Sequence, residues 1–175
     1  MLKGIDISSH QGDIAISPLG VDFVICKATE GLGYVNPWCD TKIQETISLG
    51  LEFGFYHFGR ENDPVAEANY FMENCEGYFR YGVPVLDWER GQSVEWVNTF
   101  VRQVHDVKGV WPLIYASDGR LPGYGGDLDL NHFFGDSTAW AKYAGRYYEQ
   151  PEPEPVPSVS VLENDEFKVT IEEKK

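Results

Sequence analysis

The sequence predicts an α/β fold whose strands run parallel in a sheet or barrel. Three observations carry that expectation: short apolar runs rich in valine and isoleucine recur, segments of helical period alternate with them, and polar residues collect just after each run. A strand covered on both faces needs a continuous apolar run, and a crossover between parallel neighbours needs a helix. The site of such a fold lies at the carboxyl ends of its strands.

Gly4 to Ser8 reads as the first strand, ending in polar residues and followed by the turn-prone Ser9-His10-Gln11-Gly12. Asp22 to Ala28 is the second, leading into Thr29-Glu30-Gly31. Thr41 with Gln44 has the form of a capping box and opens a helix with Ile43 and Ile47 on one face, stopped by Gly50. Glu52 to Phe58 is the third strand. Asp63-Pro64 makes an N-cap and first-turn pair for a helix with Val65, Ala68, Phe71 or Met72, and Cys75 inward, ending near Gly77. Val83 to Arg90, bounded by Gly82 and Gly91, is the fourth strand, and Ser93 caps a helix carrying Val97, Phe100, Val101, Val104 and Val107, with Gly109 as its stop. Trp111 to Ser117 is the fifth strand.

After Ser117 the rhythm breaks. A turn-rich stretch precedes one more strand-like segment, Leu128 to Phe133, and Asp136 caps a helix with Trp140, Tyr143 or Ala144, and Tyr147 on one side. Residues 1–148 are thus read as one domain, 149–158 as a stiff Pro/Glu linker and 159–175 as a short acidic tail, hairpin or disordered.

The 175 residues suffice for one domain with a substantial core. A formal charge of −14 argues against nucleic acid as a partner. Part of that charge lies outside the domain, since from Tyr147 onward eight acidic residues face three lysines, but the body is acidic as well. Cys26, Cys39 and Cys75 are odd in number without C-x-x-C spacing, so neither a disulfide framework nor a metal site is expected, and Cys26 reads as a small core residue. No apolar stretch approaches the roughly 20 residues of a membrane span, so no membrane insertion is expected. Met1-Leu2-Lys3 runs straight into the first strand, so no signal peptide is expected, and the protein is expected to be made in the cytoplasm and to reach its target after release or export.

The chemistry gathers at the fourth strand. Alternation along a strand puts Asp87 and Glu89 on one face, about 6.6 Å apart at the backbone, with Trp88 on the other. Two carboxylates so close resist joint ionisation, which lets one serve as proton donor while the other stays charged, the division that glycoside hydrolysis uses. The plainer alternative is two solvated acids at a loop mouth. Asp6, Lys27, Glu30 and His57 follow other strands, and the convergence of such groups is more informative than any one of them.

Several spaced motifs bear a family likeness: Gly4 to Ser8 with Gln11-Gly12, Phe23 to Gly31, Tyr56-His57-Phe58, Leu86 to Glu89, Tyr115-Ala116-Ser117 and Leu128 to Asn131. In this order the chain resembles the glycoside hydrolase family 25 lysozymes, the Chalaropsis-type muramidases of bacteria and their phages. The resemblance implies a TIM-like (β/α) barrel that cleaves the β-1,4 bond between N-acetylmuramic acid and N-acetylglucosamine of bacterial peptidoglycan, with no cofactor and no metal. It implies Glu89 as proton donor, Asp87 as the second carboxylate assisting the substrate's acetamido group, and Asp6 and Asp129 as flanking acids. Tyr56, His57, Lys27, Glu30, Trp88, Tyr115 and Asn131 are the expected substrate contacts, a hydrogen-bonded structural histidine being the equal alternative for His57. An acid-side activity optimum is expected, since a donor must keep its proton among carboxylates.

One departure stands beside the likeness. Between Ser117 and Asp129 the family carries a further stretch holding about two strands, which is missing here, so the barrel is expected to be incomplete. An open sheet covered by the terminal helix and tail, closure by strands from a second copy in a homodimer, and a smaller barrel are the three outcomes. A catalytically impaired peptidoglycan-binding remnant and a hydrolase of chitin are the alternative functions.

Overall fold

A computed structural model of the chain describes residues 1–89, 91–115, 129–133 and 135–146, with the backbone alone for Tyr115 and residues 129–132. The linker, the tail, Tyr147, the end of the fifth strand at Ser117, and the turn-rich stretch from there to Leu128, with the expectations that fall on them, lie outside the described residues.

Among the described residues seven strands form one sheet in the order β6-β5-β4-β2-β1-β7, with β3 attached to the end of β2. They are β1 (Leu2–Ile7), β2 (Phe23–Glu30), β3 (Tyr34–Val35), β4 (Glu52–Phe58), β5 (Val83–Asp87), β6 (Leu113–Tyr115) and β7 (Asp129–Phe133). Neighbours along β1, β2, β4, β5 and β6 are parallel. β3 and β7 run antiparallel to β2 and β1. The parallel strands curl into a half-barrel, and β6 and β7 end the strand order among the described residues.

Helices α1 (Cys39–Ser48), α2 (Pro64–Asn74) and α3 (Val94–Lys108) cover the convex face. Ile5, Ile7, Val24, Cys26, Phe55 and Leu86 meet Ile43, Phe71, Phe100 and Val104 there in the larger apolar cluster. Asp63 Oδ1 accepts from Ala66 N at 2.8 Å and Ser93 Oγ from Trp96 N at 3.1 Å, the expected caps of α2 and α3. Gly109, at φ 73, ends α3 in the left-handed conformation that glycine adopts without steric cost.

Three local expectations are corrected. Thr41 caps nothing: α1 begins at Cys39 after Trp38, and its inner stripe is Cys39, Lys42, Ile43 and Thr46, leaving Ile47 exposed. Val65 and Val107 likewise point outward, because the inner stripes of α2 and α3 are narrower than their apolar composition. The strand carrying the paired acids ends at Asp87, so the alternation that set Glu89 beside it does not extend that far.

The concave face has its own cluster: Phe23, Ile25, Tyr56, Val83, Val85, Trp140 and Ala144. Two of these come from α4 (Ser137–Tyr143) and the turn after it, whose cap is Asp136 as expected. Trp140 is 1% exposed, lies 4.5 Å from the Phe23 ring and 5.1 Å from the Phe133 ring, and donates from Nε1 to the Phe53 carbonyl at 3.3 Å. Phe23 and Val83 open their strands, so α4 closes the amino-terminal end of the half-barrel and leaves the carboxyl end to the polar residues.

Candidate functional site

Side chains on alternate positions of a strand face opposite ways, and the two apolar clusters show which way. Asp6 lies between Ile5 and Ile7, both on the helix side, so it faces the concave side. Lys27 continues the Phe23, Ile25 series and Asp87 the Val83, Val85 series, while Tyr56 belongs to the concave cluster itself. Asp6, Lys27, Tyr56 and Asp87 therefore share one face near the carboxyl ends of β1, β2, β4 and β5, and all four are buried. Glu89, two residues beyond Asp87, is exposed.

The backbone of Asp129 pairs with that of Asp6 in the antiparallel β1–β7 ladder. Thus the fourth expected acid sits on the strand next to Asp6. Tyr115 pairs with Asp87, and Asn131 with Gly4, farther from the carboxyl end of β1.

A cation cluster borders the acids. Glu30 accepts from Lys27 Nζ and from Arg60, whose Nε lies 2.8 Å from Glu30 Oε1 and whose Nη2 binds the same oxygen. Lys27 Nζ stands 4.5 Å and the Arg60 guanidinium 5.0 Å from the centroid of Phe58, the residue paired with Asp87 across β4 and β5. Cations over an aromatic face are attracted by the ring quadrupole, so Phe58 holds both. Burial pushes the Glu30 carboxyl up, but hydrogen bonds from Lys27 and Arg60 outweigh it and hold the group below its ordinary value.

His57 and Trp88 turn the other way. His57 is wholly buried, with Nδ1 2.8 Å from Thr29 Oγ1 and Nε2 2.8 Å from Glu67 Oε2, and its ring stacks on Phe100. Both ring nitrogens are occupied on the helix side of β4, the arrangement of a hydrogen-bonded structural histidine. Trp88 packs against the helix-side cluster and donates from Nε1 to the Gln92 carbonyl at 3.0 Å. That geometry separates it from the concave face.

Three residues near this site escaped the sequence reading. Tyr34 on β3 donates to Ser9 Oγ at 2.9 Å, and its ring centroid lies 5.7 Å from Lys27 Nζ. A two-residue strand has too little pattern to be seen. Arg60 follows β4 in a loop without a motif. Glu67 sits at a position of α2 where its neighbour Ala68 is apolar, and only three-dimensional contacts reveal that its carboxylate faces inward.

Among the described residues no group of three or more His, Cys, Asp or Glu could hold a metal ion. What the mouth offers is buried acids, one exposed glutamate and a lysine–glutamate–arginine cluster. That set can exchange a proton with a bound molecule and stabilise positive charge developing on it.

The family model of glycosyl hydrolases family 25 matches residues 5–156. The autolytic lysozyme of Clostridium acetobutylicum is 37% identical over 123 residues, covering 66% of this chain and 38% of that protein. The N,O-diacetylmuramidase of Chalaropsis sp. is 32% identical over 139 residues, 66% of either chain. This chain thus spans well under half the length of the first relative and 66% of the second. Among solved structures, the bacterial lysozyme from Streptomyces coelicolor superposes with a TM-score of 0.70 at 22% identity, covering 83% of this chain and 98% of that one. The muramidase from Acremonium alcalophilum gives 0.67 at 22%, covering 82% and 99%. Those two likenesses show the fold, and the family match over most of the sequence shows the membership: the chain belongs to glycosyl hydrolases family 25.

Proposed function

We propose that this chain hydrolyses the β-1,4 bond between N-acetylmuramic acid and N-acetylglucosamine in bacterial peptidoglycan. Glu89 gives its proton to the glycosidic oxygen as the bond to the anomeric carbon breaks. Asp87 orients the acetamido group of the substrate, whose oxygen closes on that carbon until water, giving a proton back to the Glu89 carboxylate, opens the ring and takes its place on the carbon. Asp6 and Asp129 flank the reacting sugar, and Lys27 and Tyr56 contact it. The observation that carries this reading is the buried pair Asp6 and Asp87 on one concave face, with exposed Glu89 two residues beyond. The lysozyme and muramidase names of the relatives support it.

The test is release of reducing ends from purified cell walls, with Glu89→Gln as the control. Equal release by the two proteins overturns the role given to Glu89, and release from chitin instead of peptidoglycan overturns the substrate.

A second reading is a wall-binding protein with an impaired site. It is favoured by the path from β6 to β7, which holds six strands among the described residues, fewer than a closed eight-stranded barrel. We read the sheet as lacking about two strands, with α4 occupying part of the interior they would enclose. Wall binding without release of reducing ends identifies this case, and a dimer in sedimentation identifies closure by strands of a second copy.

A further inference from the structure

Glu67 lies in the first turns of α2 and is wholly buried, yet nothing in the proposed chemistry uses it. Its carboxylate takes four donors. Oε2 accepts from the backbone N–H of Arg60 at 2.9 Å and lies 2.8 Å from His57 Nε2, while Oε1 accepts from the backbone N–H of Asn62 at 3.1 Å and from Asn62 Nδ2 at 2.7 Å. Burial pushes this carboxyl up, but the hydrogen bonds from His57, the Arg60 N–H and Asn62 overcome that and hold it below its ordinary value. The position near the start of α2 also favours negative charge.

The residues so held form the loop between β4 and α2, and the loop touches both halves of the site. On one side Arg60 grips Glu30, which grips Lys27. On the other, the Gly59 N–H donates to the Asp87 carbonyl at 3.0 Å, and the Asn62 carbonyl accepts from Trp96 Nε1 at 2.6 Å on α3. A single buried anion therefore fixes a loop that spans from the cation cluster to the end of β5.

We propose that Glu67 is a positioning residue for the mouth of the half-barrel: its ionised carboxylate sets the 59–62 loop and through it the Lys27–Glu30–Arg60 cluster and the Asp87 end of β5. The kinetic part of this proposal rests on the hydrolase reading. Glu67→Gln keeps the size of the side chain but replaces one acceptor oxygen by an NH2 group. Whichever way the amide turns, the backbone N–H of Arg60 or of Asn62 loses its acceptor, so the loop must move.

The experiment compares the full chain with its E67Q variant, using reducing-end release from purified walls and backbone amide NMR spectra at a temperature far below unfolding, with E89Q as the reference for lost chemistry. The expected result is a kcat lower by on the order of ten- to a hundredfold with KM nearly unchanged. Amide shifts should reach Glu30, Gly59 and Asp87, in a protein whose circular dichroism matches the parent. A kcat within about twofold of the parent, or shifts confined to residues 57–67, overturns the proposal and leaves Glu67 a purely stabilising group. If the parent itself releases no reducing ends, the hydrolase reading falls, and the amide shifts alone decide the clamp: reaching Asp87 and Glu30 they support it, and confined they overturn it. Where E67Q does not fold, Asn62→Ala, which removes one donor and leaves the carboxylate, takes its place under the same criteria.

Discussion

Trp140→Ala isolates what α4 does for the half-barrel. The indole is 1% exposed, packed between Phe23 and Phe133, and bonded through Nε1 to the Phe53 carbonyl. Truncating a fully buried tryptophan removes its transfer energy and leaves a cavity, together about 3–5 kcal/mol. Against a whole-domain stability of about 5–15 kcal/mol that is a large fraction. At about 2–4 °C per kcal/mol for a chain of this size, the melting temperature should fall by about 6–20 °C. Trp140→Phe keeps a ring and loses the N–H donor, for about 1 kcal/mol and a correspondingly smaller fall. Differential scanning calorimetry reads both, with Tyr143→Ala as the comparison because Tyr143 on the same helix is half exposed. If Trp140→Ala melts within about 3 °C of the parent, α4 does not fill the concave face and the reasoning is refuted.

Further outcomes follow from particular groups. Glu89→Gln should lower wall hydrolysis by about 10²–10⁴-fold, the usual contribution of a general acid, read as reducing ends at saturating substrate. Acid should destabilise the fold. His57 is held below its ordinary value by burial, in spite of Glu67, and Glu67 is held below its own. Both therefore bind protons more readily in the unfolded chain, so their contribution is complete above the unfolded values and is lost as pH falls, first below about 6.5 and then below about 4.3. Melting temperatures that rise on acidification from pH 7 to pH 4 would contradict this. Cys26, Cys39 and Cys75 are buried free thiols, with Cys39 pushed up to about 12 by burial, so a thiol reagent should label none quickly in the folded protein and all three after denaturation. The Gln92 side-chain amide is buried without a hydrogen-bond partner among the described residues, so Gln92→Met should stabilise by about 1 kcal/mol, measured as a higher urea midpoint.

The repeating strand–helix order was legible because each parallel strand is covered on both sides and leaves an unbroken apolar run, as in Phe23 to Cys26. Caps at Asp63 and Ser93 were legible for a similar reason: one side-chain oxygen close in sequence satisfies the helix start. The acids at Asp6 and Asp87 could be found because strand ends are where such folds hold their polar groups. Less visible was the side each residue takes when a strand stops. Alternation carried Glu89 past the end of β5, and it could not say that His57 would find both its partners on the helix side. The buried charge of Glu67 was hidden altogether, since its donors come from residues 57, 60 and 62, and the backbone N–H groups among them leave no trace in side-chain pattern.

The pairing of β1 with β7 joins a strand to one made more than a hundred residues later. During synthesis β1 can align with β2 almost at once, yet its other flank stays open until residues 129–133 have left the ribosome. A nascent chain cut before Asp129 would carry that open flank permanently and offer it to other chains, so such fragments should precipitate instead of folding. Completion of the sheet is therefore a late event in the life of each molecule, and the acid strand bearing Asp6 gains its second neighbour only then.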